Sequence, residues 1–469
     1  MKQFDFSTYL SPFTWKYGSE KMRFIFSEEN KSKLWRKVWV ALATVQHKAG
    51  LVSTKELKDL VKHEKEIDIE RIQELEKEIH HDVMGAVKEF AEKSKIGGGK
   101  IHLGATSMDI TENTDMIRIK EALKIIEQKL ILVLKEFATQ IERYANIPCI
   151  GFTHLQTAEP TTVGYRLSMY AQDILNDLYL LRFCAANIKA KGMKGAVGTS
   201  ASYEMLLRRR KINAEEQDMM VMKYLGIEPV LIASQTYPRK FDFWVLITLA
   251  SIAQSLYKFA TDLRILQSPP IGEWMEPFGK KQVGSSAMPF KRNPINSERI
   301  CGLGRYVSHL PVIAWENAAH SYLERTLDDY IANRRTILAE GFLATDEMLT
   351  DSQKIIADIV INETRIKYNL DLYGPFAATE PILMEAVKNG ANRQKIHELL
   401  REISMQAWQE VQIGKPNLMV KLLTNNSIVK KYLKKTEIIN LMDVKNYVGD
   451  APKRTLLLAK QIKKQTYEK

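Results

Sequence analysis

The 469-residue chain is poor in cysteine, glycine and proline and has no long uninterrupted apolar run. Each shortage excludes something. The three cysteines, Cys149, Cys184 and Cys301, lie far apart and form no CxxC pair. That rules out a zinc-ligand spacing and a disulfide framework, and a low odd number fits a reducing compartment. With 23 Gly and 15 Pro, the chain is neither collagenous nor a disordered tract. The longest apolar stretch, Phe243 to Leu256, is broken by Thr248, Ser251, Gln254 and Ser255. It also falls short of the roughly 20 residues a membrane span needs. The N-terminal MKQFDFSTYLSPFTW carries Asp5 early and lacks the apolar core of about 7–15 residues that marks a signal peptide. A cytoplasmic protein without a membrane partner is expected. No repeat with a period of about 20–50 residues is present.

What is there is helix. Ile119, Leu123, Ile126, Leu130, Val133, Leu134 and Phe137 recur at spacings of three and four, as do Val163, Leu167, Tyr170, Ile174, Leu178 and Leu181. Such stripes mark long amphipathic helices. Phe243 to Leu256 is apolar on nearly every side, with a thin polar stripe at Thr248, Ser251 and Ser255. A helix of that kind is wrapped by other helices. No series of alternating strands appears. The expected fold is therefore all-α, in three zones. Residues 1–110 hold shorter helices with breaks at Gly50 and Gly97-Gly98-Gly99. Residues 111–361 hold the long helices. Residues 362–469 hold shorter ones, with turns at Tyr373-Gly374-Pro375 and Gly414-Lys415-Pro416. The central helices demand more burial than one protomer easily supplies, which a bundle shared between subunits would provide.

The formal charge is +12, from 68 Lys and Arg against 56 Asp and Glu. From Gly414 onward there are 13 Lys and Arg against 4 Asp and Glu, so most of the excess belongs to the last zone. Either a solvated helical face or an anion-collecting surface accounts for it. Gly97-Gly98-Gly99-Lys100 lacks P-loop spacing, since Ser94 and Ile101 occupy the diagnostic positions. His80-His81-Asp82 is a poor metal pair, because neighbours on a helix point about 100° apart. A cap or a ligand contact remains for these histidines, and no metal is expected. Thr106-Ser107, at the entry to a long helix, can hold an anion or cap the helix. His154 sits between Pro148 and Pro160, in what reads as a short irregular segment between helices, and is either an acid–base group or a structural histidine.

The richest stretch is GSSAMPFKRNP, Gly284 to Pro294. It combines small residues, the hydroxyls of Ser285 and Ser286, the cations Lys291 and Arg292, and the Asn293 amide. Backbone N–H groups and Asn293 could donate to a developing oxyanion that Lys291 neutralises. The loop reads as an anion-binding lid with a hydroxyl in reach, or as an ordinary polar loop.

Together with HLGATSMDITENTDM and GFTHLQTAEPTT, which precede it in that order, this loop resembles the signature regions of the fumarase/aspartase superfamily. HDVM at His81, SQTYPRKFD at Ser234, NPINSER at Asn293 and ERTLDD at Glu324 resemble one branch of it, in its eukaryotic-type form. That branch eliminates fumarate from adenylosuccinate and from the succinylcarboxamide ribotide of purine synthesis. The resemblance implies three all-α domains in a homotetramer whose active sites draw on several subunits, a small purine nucleotide as substrate, and no metal or organic cofactor. It implies Ser285 as base, His154 as general acid paired with Glu298, Lys291 and Asn293 as carbanion stabilisers, and His81 beside the substrate. It further implies contacts from Lys16, Tyr17, His80, Asp82, Thr106, Ser107, Gln156, Gln235, Ser286, Met288, Arg299, Arg325 and Tyr330, and from one of Arg334 and Arg335.

The departures are specific. Lys16 and His80 stand where arginines are usual, Thr157 where Pro is, and Phe290 where His or Tyr is. After ERTLDD, Tyr330-Ile331 replaces a serine with one residue extra. Counting from Arg325 selects Arg334 as the binding arginine; counting back from the following helix selects Arg335, the preferred register. Two other readings are argued against. Sibling chemistry on argininosuccinate, aspartate or carboxymuconate is opposed by the HDVM, SQTYPRK and ERTLDD segments. A helical scaffold or nucleic-acid binder without catalysis is opposed by the joint presence of Ser285, Lys291, His154 and Glu298. A cluster of cations around a small polyanion explains the body's positive groups without nucleic acid.

Overall fold

The computed structural model describes residues 7–467; Asp5 lies outside them. Five long helices dominate: α1 (Ser107–Arg143), α2 (Val163–Asn187), α3 (Lys240–Gln267), α4 (Ile295–Ala319) and α5 (Arg334–Ala357). Among the described residues the structure is all-α apart from one isolated bridge and two small antiparallel pairs, of which the larger is β1 (Pro148–Thr153) with β2 (Gln156–Thr162). The predicted apolar stripes are buried: Leu123, Ile126, Leu130, Phe137, Leu167, Ile174 and Leu178 are at most 1% exposed. Each such side chain contributes roughly 1.5–3 kcal/mol by leaving water.

α3 runs for 28 residues, so its length and composition alone would suffice to cross a membrane. The short apolar run seen in the sequence understates it, because small polar residues do not end a helix. Its Val245, Leu246, Leu249, Ile252, Leu256 and Phe259 are fully buried in protein. The polar stripe is satisfied locally. The Thr248 hydroxyl donates to the Trp244 carbonyl at 2.8 Å, and Ser251 donates to Asp177 at 2.5 Å.

The chain divides into two compact units. One gathers residues up to Leu130 with Asp177–Gln254 and Gly302–Thr350. In it, Trp35, Trp39 and Phe90 form an aromatic cluster with ring centroids 6.2–6.3 Å apart. Gly341 of α5 lies so close to Leu246 of α3 that a Cβ would fall 2.9 Å from its Cδ2. The other unit gathers Ile131–Asn176, Ser255–Cys301 and residues from Asp351 onward. Its core joins Leu370, Ile382, Leu400, Leu423 and Ile438 with Ile150 of the hairpin.

Several local expectations fail. Tyr373-Gly374-Pro375 is not a turn but part of the helix Glu363–Ala377. Its proline falls near the helix end, and Gly374 is needed because a Cβ there would strike Val444. His80 and His81 do not share a helix. His80, with φ 54°, ends Ile69–Ile79, and His81 caps Asp82–Lys93.

Candidate active site

His154 is the tip of a hairpin, not part of an irregular segment. His154 and Leu155 form its two-residue loop, both with positive φ (55° and 57°), and Thr153 pairs with Gln156. Positive φ at both positions is the turn whose twist matches a hairpin, normally taken by Asn or Gly. Holding non-glycine residues there is a strain carried by the flanking ladder and by the contact of β1 with Glu363–Ala377. The ring is exposed and borders a cavity of about 820 Å³ with Thr161, Tyr165, Arg166 and Met169. Under that hairpin Arg166 is buried, donating to Glu273 at 2.8 Å and to the Ile150 carbonyl.

In the same unit, the loop from Gly284 to Pro294 folds on itself. The Ser285 hydroxyl oxygen accepts from the backbone N–H groups of Ala287 (3.3 Å) and Met288 (3.1 Å). These donors stabilise negative charge on Oγ more than they stabilise the neutral hydroxyl. The Asn293 side chain donates to the Gly284 carbonyl at 2.8 Å, and Lys291 N–H donates to the Met288 carbonyl at 3.0 Å. Asn293 therefore closes the loop with one N–H. Ser286, Met288 and Lys291 are exposed. Glu298 is half exposed, 4.0 Å from Arg264, and among the described residues no hydrogen bond joins it to His154. Arg299 points to Asp351 (2.7 Å) and Asn296 (2.6 Å). Gln156 is exposed beside the hairpin tip.

The other unit holds a second group. Asp82 accepts from the Tyr330 hydroxyl at 3.2 Å and from Arg335 at 3.1 Å. Arg325 donates to Gln235 at 2.7 Å. His81 Nδ1 accepts from Met84 N–H at 3.3 Å, leaving Nε2 as the ring's outward atom. Lys16 is exposed, with Nζ 5.8 Å from the Tyr17 ring centre. His80 is exposed.

Thr106 N–H donates to Asp109 at 3.0 Å, so Asp109 serves as the helix-entry acceptor. Among the described residues, the Thr106 and Ser107 hydroxyls have no hydrogen-bond partner. Asp109 is a residue the sequence did not single out. Fully buried, it also accepts from Lys191, from Tyr203 (3.0 Å), and from Lys194 and Gly195 N–H (3.2 and 3.1 Å). It pins the Thr106 loop against a glycine-rich segment that looks featureless in sequence.

A buried charge network explains why several quoted segments belong together. Arg239, of SQTYPRKFD, donates to Glu112 at 2.6 and 3.0 Å and to Asp329 of ERTLDD. Burial works against the Arg239 charge, and Glu112 and Asp242 together outweigh it, leaving the guanidinium pKa above its ordinary value. Arg334 is 2% exposed and donates to Asp242 (2.7 Å), Asp115 (2.6 Å) and the Tyr237 hydroxyl. Burial would raise the Asp115 carboxyl, but Arg334 and Arg118 hold it below the usual range. Arg334 is thus consumed inside the unit. Arg335 is half exposed and borders a cavity of about 100 Å³ with Tyr330 and Trp35. Among the described residues no cluster of three or more His, Cys, Asp or Glu is arranged to hold a metal ion.

Comparison with known proteins completes the picture. Residues 13–308 match a family model described as lyase, and residues 375–455 match one described as adenylosuccinate lyase C-terminus. The adenylosuccinate lyase of Schizosaccharomyces pombe is 36% identical over 96% of this chain and 94% of its own length. That of Archaeoglobus fulgidus is 35% identical over 94% and 96%. Among solved structures, a fumarate lyase from Mesorhizobium sp. BNC1 superposes with a TM-score of 0.83 at 21% identity, covering 97% of this chain and 99% of the other. The 3-carboxy-cis,cis-muconate lactonizing enzyme of Pseudomonas putida gives the same score and identity over 96% and 99%. These two show the shared fold.

Proposed function

The chain belongs to the adenylosuccinate lyase family, within the fumarase/aspartase superfamily, and from this membership we propose how its residues divide the chemistry. The reaction is the β-elimination of fumarate from adenylosuccinate, leaving AMP, and from the succinylcarboxamide ribotide, leaving its carboxamide. A carbon–hydrogen bond beside a carboxylate breaks, its electron pair becomes the fumarate double bond, and the carbon–nitrogen bond pair leaves with nitrogen, which takes a proton.

Ser285 is the base. The observation that carries this assignment is its hydroxyl oxygen resting on two N–H groups of its own loop, 3.1 and 3.3 Å away. Those donors favour the alkoxide that removes the proton. Lys291, on the same loop, neutralises the carboxylate as it gains charge. His154, at the solvent-facing hairpin tip, protonates the leaving nitrogen. Glu298 orients that histidine from another subunit. Arg335, Arg325, Gln235 and Thr106-Ser107 bind the anionic and polar parts of the nucleotide, beside His81 and Asp82. No metal or organic cofactor takes part in this scheme.

We also propose a cytoplasmic homotetramer with shared active sites, built from three helical zones. Exposed apolar side chains on the long helices support it: Phe183, Val312 and Trp315 are 56–59% exposed, and neighbouring subunits would cover them. Sedimentation should give four times the 53.8 kDa chain mass; a monomer at working concentration would refute the assembly. The function is tested by the fall of adenylosuccinate absorbance on adding enzyme. That fall should vanish in Ser285→Ala and His154→Ala while the circular dichroism stays native. A folded tetramer inert toward both substrates would overturn the assignment.

A further inference from the structure

The entry to α5 is unusual. Residues Asp329–Asn333 form a π turn, in which Arg334 N–H bonds to the Asp329 carbonyl five residues back. A π turn holds one residue more than an α turn. Both of its ends are anchored: Asp329 by Arg239, and Arg334 by Asp242 and Asp115. The side chain of Tyr330 is held between these anchors, 7% exposed. Its ring lies near two guanidiniums, 4.6 Å from Arg335 and 5.8 Å from Arg325. Its hydroxyl donates to Asp82 at 3.2 Å.

Both guanidiniums lie near the one ring, and an aromatic face attracts a cation without occupying its N–H groups, as a carboxylate would. The remaining donors are telling. Arg335 gives an N–H to Asp82 and Arg325 gives one to Gln235, whereas Arg325 Nε is buried and has no partner among the described residues. A buried donor without an acceptor is costly unless a ligand completes it.

We propose that Tyr330 is a positioning residue: its ring holds at a fixed orientation Arg325 and Arg335, the two arginines already assigned to an oxyanion of the substrate. This deepens the functional reading above and rests on it. The oxyanion is a phosphate or a carboxylate, which both present delocalised charge to a guanidinium fork. The π turn is the device that separates the roles of neighbouring arginines, burying Arg334 and leaving Arg335 for the oxyanion.

The test is a double-mutant cycle on the full-length enzyme with adenylosuccinate. Tyr330→Leu should raise KM about tenfold, with a smaller change in kcat, because lost cation–π contacts loosen binding. Tyr330→Phe keeps the ring and should raise KM about threefold, from the lost hydroxyl contact. In an Arg335→Gln background, Tyr330→Leu should add less than about twofold, since the partner is already gone. Inhibition by inorganic phosphate and by fumarate, measured separately, identifies the oxyanion as the one whose inhibition weakens with Tyr330→Leu. Equal effects of Tyr330→Leu in both backgrounds, or a Tyr330→Phe enzyme as impaired as Tyr330→Leu, would overturn the inference. If Tyr330→Leu does not fold, Tyr330→Met replaces it, and the Tyr330→Phe criterion stands by itself. A wild-type chain inert toward adenylosuccinate defeats the functional reading; an active wild type with additive variants defeats this inference alone.

Discussion

Gly284→Ala isolates the contribution of loop geometry to catalysis without removing any reacting group. A Cβ at position 284 would fall well inside 3.0 Å of the Lys291 carbonyl oxygen and 3.1 Å from its carbonyl carbon. Both atoms are backbone, so no side-chain rotation relieves the overlap. The two strands of the loop must separate by on the order of 1 Å, and that displacement falls between the base and the cation. The Asn293 bond to the Gly284 carbonyl, 2.8 Å, is stretched by the same movement. A misplacement of this size costs about 100-fold in rate. The loop is exposed and holds little core, so thermal stability should change by no more than about 2 °C, from a loss below about 0.5 kcal/mol. The assay is kcat from adenylosuccinate absorbance, alongside a melting curve. A kcat within about threefold of wild type would show that the loop tolerates the extra carbon, and would refute the claim that this closure positions Ser285 and Lys291.

Three further outcomes follow from the buried charges and thiols. Arg334→Met leaves the buried Asp242 without its ion pair and Asp115 with Arg118 alone, and should cost about 3–5 kcal/mol of stability, whereas Arg335→Met should cost at most about 1 kcal/mol and act on KM. The opposite pattern in paired melting and kinetic assays would reverse the assignment of the two arginines. Cys149, Cys184 and Cys301 are buried, and burial pushes the Cys149 thiol up to about 11. The native enzyme should therefore leave Ellman's reagent unreacted at pH 8 and show all three thiols once denatured; fast labelling of the native protein would contradict the packing. Asp115 is held below the ordinary carboxylate pKa of about 3.9. In acid the native state therefore binds fewer protons than the unfolded one. The stabilisation is complete above that ordinary value and drains away as pH falls through the lower native one. Asp115→Asn should flatten the acid limb of a stability–pH profile, and an unchanged slope would count against the Arg334–Asp115 pair.

Much of the helical framework was legible from spacing alone. The stripes from Ile119 to Phe137 and from Val163 to Leu181 are local patterns, and locality is what a periodicity detects. The His154 hairpin escaped because its two-residue turn carries His and Leu where Asn or Gly would have announced it. The β-branched Ile150, Thr153, Thr161 and Thr162 were the available hint. The helix through Gly374-Pro375 escaped because those residues ordinarily punctuate a chain, and only the contact with Val444 shows why a glycine stands there.

The candidate site divides in the same way. The residue types of the Gly284–Pro294 loop stated the chemistry on offer, a hydroxyl, a cation and an amide among small residues. Folding decided that the amide closes the loop and that two backbone N–H groups face Ser285. Extra length after ERTLDD was visible in sequence, but its form as a π turn was not.

By itself, then, the order of amino acids determined where helices run, which faces are apolar and which reactive groups are available, because these follow from each residue and its near neighbours. Tertiary structure alone decided which charges are spent and which are left to act. Arg334 and Arg335 are adjacent and chemically identical. One is neutralised in the interior by Asp115, 219 positions away, and the other faces Asp82, 253 positions away. Burial makes an unpaired charge so costly that the folded contacts, and not the local sequence, assign each arginine its role.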